Sequence, residues 1–128
     1  MRQGGLSATL GPVALRCLIV DDNEEFLASA SRLLTSQGLE IVGRAATGGD
    51  ALRLAERLEP DVALVDVQLG EEDGMAVAGR LAADGATRVI LISTHSEDDL
   101  VELIAGSPAV GFLPKAALSA DAIGELLD

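Results

Sequence analysis

The apolar residues of this chain follow two alternating patterns. Short runs rich in Val, Ile and Leu fall at 15–20, 39–42, 62–65, 88–92 and 110–113, and each is followed by a stretch with helical spacing. The first stretch puts Phe26, Leu27, Ala30, Leu33 and Leu34 on one face, with Asp22 or Asn23 placed to cap its start and Gly38 to end it. The second carries Ala51, Leu52, Ala55 and Leu58 and stops before Pro60. The third runs from Met75 through Val77, Ala78, Leu81 and Ala82 to Asp84-Gly85. A fourth, from Ser96, has Leu100, Leu103 and Ile104 and breaks at Gly106-Ser107-Pro108. The fifth opens near Ser119 and carries Ile123, Leu126 and Leu127.

Runs that are apolar on consecutive residues suit parallel strands buried on both faces. Five strand–helix units predict a single doubly wound α/β domain with right-handed crossovers, over residues 14–128. Residues 1–13, MRQGGLSATLGPV, are rich in Gly, lack periodicity and end at Gly-Pro; they are expected to form a flexible extension outside the fold.

Composition narrows the function. The chain has 128 residues, 21 of them acidic against nine basic, for a net charge of −12. Lys115 is the only lysine, His95 the only histidine, and Phe26 and Phe112 the only aromatics. A basic nucleic-acid footprint and stacking aromatics are both missing, so no direct nucleic-acid binding is expected. One cysteine, Cys17, excludes an internal disulfide, and with a single His it leaves no zinc set. The apolar runs are too short to span a membrane, and the N-terminus lacks a signal-peptide core. A cytoplasmic acidic domain is the expectation.

In a doubly wound sheet, ligands bind outside the carboxyl ends of the strands. Asp21 and Asp22 follow the first apolar run, Asp66 the third, Ser93 and Thr94 the fourth, and Lys115 the fifth. Each has an ordinary reading alone: an Asp after a strand commonly caps a helix, a Ser commonly sits in a turn, and a Lys is usually solvated. Their convergence on one rim favours a shared site. Three carboxylates brought together raise each other's pKa unless neutralised, and a hard divalent cation such as Mg²⁺, with its preference for oxygen ligands, does this well. With a nearby ammonium and hydroxyl, the set suits phosphoryl transfer to a carboxylate.

The motifs LIVDDN (18–23), LVDVQLGEEDG (64–74), VILISTHSE (89–97) and GFLPKAAL (111–118) resemble the receiver domain of bacterial two-component response regulators, over roughly 15 to 128. The branch that usually carries a helix-turn-helix output domain is the most similar. The resemblance implies a flavodoxin-like (βα)5 fold with a five-stranded parallel sheet in the order 2-1-3-4-5. It implies Asp66 as phosphoacceptor, Asp22 as direct Mg²⁺ ligand, Asp21 as the acid holding the metal through water, and the Gln68 carbonyl completing the shell, with Mn²⁺ as an alternative ion. Ser93 and Lys115 correspond to the switch hydroxyl and the phosphoryl-contacting lysine. Phe112 matches the rotameric aromatic that turns inward as the hydroxyl moves, changing the face made by the fourth helix, fifth strand and fifth helix. Gln68 and His95 would flank the attacking water and tune dephosphorylation. The implied partners are a histidine kinase or phosphotransfer protein, and a downstream protein or fused output domain. A phosphorylation-dependent homodimer is also implied. The domain is then a phosphoacceptor and not an enzyme in its own right.

Three positions depart from the family pattern. Gly70 replaces a usual proline, which is expected to loosen its loop; Ala116 stands where many members have a proline, with Pro114 before the lysine instead; and Ser93 stands in place of the commoner threonine, a tolerated variant. None removes a group needed for phosphorylation. The competing readings are a phosphorylation-independent docking module, a piece of a DNA-binding regulator, and a flavin carrier or aspartate-nucleophile phosphatase. The acidic loop after the first strand disfavours the flavin, and Gln68 stands where the phosphatases place a second Asp. No basic helix follows the fifth helix here, so DNA binding is not expected of these residues.

Overall fold

The computed structural model describes residues 14–83, 85–94, 101–102 and 104–128. The extension expected at 1–13 lies outside them, as does most of the helix expected from Ser96; residues 101, 102, 104 and 105 are helical. The chain forms β1 (Arg16–Val20), α1 (Glu24–Ser36), β2 (Glu40–Ala45), α2 (Gly48–Leu58), β3 (Val62–Asp66), β4 (Gln68–Leu69), β5 (Glu72–Asp73), α3 (Gly74–Ala82), β6 (Arg88–Ser93), β7 (Gly111–Pro114) and α4 (Ala120–Leu127). A 3-10 turn, Lys115–Ala117, follows β7.

Five strands make one parallel sheet in the order β2-β1-β3-β6-β7, which is the expected 2-1-3-4-5 order once the small β4-β5 hairpin is set aside. Side-chain alternation divides the core in two. Leu18, Val20, Ala63, Val65, Val89 and Leu91 pack with Ala51 of α2 and Val77, Ala78 and Leu81 of α3. Cys17, Ile19, Val62, Leu64, Ile90 and Ile92 face Leu27, Ala30 and Leu34 of α1 and Ile123 of α4. Burial on both faces is why β1, β3 and β6 read as unbroken apolar runs. Burial also pushes the Cys17 thiol up to about 12, so it stays a protonated core side chain.

The helix boundaries follow local chemistry. Asn23 caps α1, its Oδ1 accepting from the Phe26 amide at 3.1 Å. Thr47, Asp73 and Ser119 cap α2, α3 and α4 in the same way. Gly38 leaves α1 with φ +100°. At the edge, β2 runs to Ala45, three residues past the apolar run at 39–42. Its register slips between Cys17 and Leu18, so that Ile41 pairs with Cys17 but Gly43 with Leu18. An edge strand needs only one fully buried face, which is how Gly43 and Arg44 fit inside it and why the hydrophobic pattern ended early.

The β4-β5 hairpin was not expected. Gln68 pairs with Asp73 and Leu69 with Glu72, and Gly70 turns the corner at φ +58°. Proline is held near −65° and cannot adopt that angle. The loop is therefore closed by a different turn, with ladder pairing in place of the stiffness of a proline.

Candidate functional site

The carboxyl ends of β1, β3, β6 and β7 deliver the acidic and basic groups to one edge. Asp21 leaves β1 with its amide still bonded to the Ala45 carbonyl at 2.9 Å, and its side chain is completely buried. Its Oδ1 accepts from the Asn23 amide at 2.9 Å, which fixes the carboxyl while turning the chain into α1. Asp22, next in sequence, is exposed. Asp66 is the last residue of β3, paired with Ile92, and its Oδ1 accepts from the Gln68 amide at 2.9 Å.

The loop after Asp66 folds tightly back. The Gly74 amide donates to the Val67 carbonyl at 3.0 Å, and a Cβ at position 74 would sit 1.9 Å from the Asp66 carbonyl oxygen. Only glycine permits that approach. The Glu72 carboxylate then reaches the amide of Gly48, at 3.1 and 3.2 Å from its two oxygens, and so places an anion at the N-terminus of α2.

Lys115, just after β7, ties the edge together. Its Nζ lies 2.5 Å from Asp21 Oδ2 and 2.9 Å from Asp66 Oδ2, and 4.4 Å from the centre of the Phe26 ring. Asp21, Asp22 and Asp66 each offer a carboxylate oxygen, all within 4.8 Å of one another. Burial raises the Asp21 pKa above the ordinary carboxylate value and the Asp66 charge adds to this; hydrogen bonds from Lys115 and the Asn23 amide offset only part. Burial pulls the Lys115 pKa down, but its bonds to Asp21 and Asp66 outweigh that and leave it raised. Lys115 is charged, and it shares that charge between two carboxylates.

The remaining expected site residues are placed as follows. Gln68 is exposed, with its amide on Asp66. Ser93 ends β6, buried, opposite Pro114. Phe112 pairs with Leu91, two residues before Ser93, so the ring and the hydroxyl share one face of the sheet. Phe112 is only 7% exposed and belongs to the same buried core cluster as Leu91. His95 lies outside the described residues. Two contributors were missed. Phe26 reads in sequence as one more apolar position of a helix, and Glu72 as one more solvated acid. The signal for Phe26 was its rarity, as one of two aromatics, placed one helical turn after the Asp pair.

The family model of the response regulator receiver domain matches residues 17–127. The transcriptional regulatory protein PdtaR of Mycobacterium tuberculosis is 32% identical over 111 residues, covering 87% of this chain and 54% of that protein. The response regulator GacA of Pseudomonas aeruginosa is 30% identical over 105 residues, 80% of this chain and 49% of its own. The chain thus spans about half the length of these curated relatives. Among solved structures, the signal receiver domain of NarL from Mycobacterium tuberculosis superposes with a TM-score of 0.78 at 34% identity, covering 91% of this chain and 96% of that one.

Proposed function

The chain belongs to the response regulator receiver domain family, and from that premise we propose that it is the phosphoacceptor of a two-component pathway, with Asp66 taking a phosphoryl group from a histidine kinase or phosphotransfer protein. The observation that carries this reading is the Lys115 ammonium, bonded to Asp66 Oδ2 with the Asp21 and Asp22 carboxylates beside it. It supports a site prepared for negative charge at Asp66.

The donor set fits a divalent cation. Three carboxylates face one ammonium, and no neutral donor reaches the buried Asp21 Oδ2 among the described residues. Asp21, Asp22, Asp66 and the Gln68 carbonyl would hold Mg²⁺, or Mn²⁺ in its place. Such an ion, when bound, supplies positive charge to phosphoryl oxygens. In the transfer, an Asp66 oxygen forms a bond to phosphorus as the donor's P–N bond breaks. The electron pair stays on the departing imidazole nitrogen, which takes up a proton. Lys115 offsets charge on the phosphoryl oxygens, and the Ser93 hydroxyl donates to one of them. Water later attacks the phosphorus and the Asp66 O–P bond breaks, its electron pair returning to the carboxylate. Orthophosphate leaves and water's proton passes to it or to solvent, at a rate that Gln68 and His95 are proposed to tune.

The output is a shift in population between two arrangements of the face made by the helix around 101–105, β7 and α4. Ser93 and Phe112 couple that face to the site. The recipient is a fused output domain or a separate protein, and the face also suits a phosphorylation-dependent homodimer. No helix among the described residues is long and apolar enough to cross a membrane. One observation favours a second reading, a docking module that needs no phosphorylation: Phe112 is already buried within the core cluster.

Intact mass after incubation with acetyl phosphate separates the two. Wild type should gain one phosphoryl group with Mg²⁺ present and none without it, and Asp66→Asn should gain none. Equal labelling of Asp66→Asn overturns the assignment of Asp66. A wild type that never labels leaves the docking reading.

A further inference from the structure

We infer that Phe26 is a positioning residue for Lys115, its ring face holding the ammonium of the chain's one lysine at the Asp66 edge of the site. Lys115 reaches this edge on a flexible stem from a 3-10 turn. Two carboxylates attract it, but both belong to the cluster suited to a cation, so any cation that engages them weakens their hold on the ammonium. The Phe26 ring is different in kind. At 4.4 Å it is well inside the range of about 6 Å over which an aromatic face attracts a cation. It offers no oxygen to a metal, so its attraction for Lys115 survives when the carboxylates are engaged.

The ring is itself well anchored. Its backbone amide is bonded to Asn23 at the cap of α1, and its side chain packs on the core between the sheet and the helices α1 and α4. Leucine there would fill similar space without attracting a cation. The effect expected of the ring is therefore on where Lys115 sits, with little change in the fold.

Because Lys115 is the only lysine, its ε-methylene protons give a single assignable NMR signal in the full chain. That signal should lie upfield in wild type through the ring current, return toward its ordinary position in Phe26→Leu, and stay upfield in Phe26→Tyr. Only the kinetic arm rests on the phosphoacceptor reading. There the rate of Asp66 labelling by acetyl phosphate should fall about two- to fivefold in Phe26→Leu and recover in Phe26→Tyr. Should Phe26→Leu unfold, Phe26→Met takes its place as the non-aromatic variant. An unmoved ε-methylene signal in the non-aromatic variant, or an unchanged labelling rate, overturns the inference. A wild type that fails to label overturns the phosphoacceptor reading, while the NMR arm still decides whether the ring holds Lys115.

Discussion

At Asp21 the structure keeps a carboxyl fully buried against a second carboxylate, with one ammonium to serve both. Its pKa is raised from the ordinary 3.8, first by burial. The folded state therefore holds this proton more tightly than the unfolded chain does. Stability must fall as pH rises from 3.8 through the raised value, because the folded protein binds more protons over that window. Lys115 acts with the same sign at the other end of the scale. Its raised pKa contributes stability that is complete below 10.5 and lost as pH climbs through the folded value. Urea unfolding across acid pH, with chelator present, should show wild-type stability falling as pH rises through that window, and a smaller fall in Asp21→Asn. Parallel curves would mean that Asp21 titrates alike in both states. The Asp pair, Asp66 and Lys115 were legible in sequence because they stand next to apolar runs that fix where strands end. Phe26 was not, because a cation–aromatic contact joins residues far apart in sequence and leaves no periodic trace.

Among the elements, the buried strands were legible and the edges were not. Residues 62–65 and 88–92 read as strands because neighbours cover both faces, whereas β2 outran its apolar pattern by Gly43, Arg44 and Ala45. The β4-β5 hairpin escaped notice because two-residue strands carry no usable alternation and its turn depends on the angle at Gly70. This hairpin is the element that joins the Asp66 loop to the rest of the molecule. Glu72, at its second strand, binds the first amide of α2 and sits so close that a Cβ at Gly48 would meet Glu72 Oε1 at 2.6 Å. Removing the carboxylate should strip α2 of an anion at its positive end and free the hairpin. Glu72→Ala is expected to lose about 0.5–2 kcal/mol in urea unfolding, and Glu72→Gln less than half as much. Amide exchange at Gly48 should quicken in the alanine variant. No change in either would mean that solvent serves that amide equally well.

Across the whole molecule, the charge of −12 and the local cluster at the sheet edge make separable demands on cations. Diffuse self-repulsion responds to ionic strength, so NaCl alone should stabilise the chain by screening. The cluster, on the proposed reading, takes a divalent ion in particular. A ligand that binds only the folded state stabilises it by RT ln(1 + [L]/Kd), or about 2.7 kcal/mol at a hundred times Kd. At matched ionic strength, MgCl2 should therefore raise the melting temperature above the NaCl value. Asp22→Asn is the informative variant, because Asp22 is exposed and outside the Lys115 ion pairs, so its loss strands no buried charge. That variant should keep the NaCl response and lose most of the Mg²⁺-specific gain. If both salts act equally on wild type, the three carboxylates add only to the general negative field, and Lys115 alone balances them.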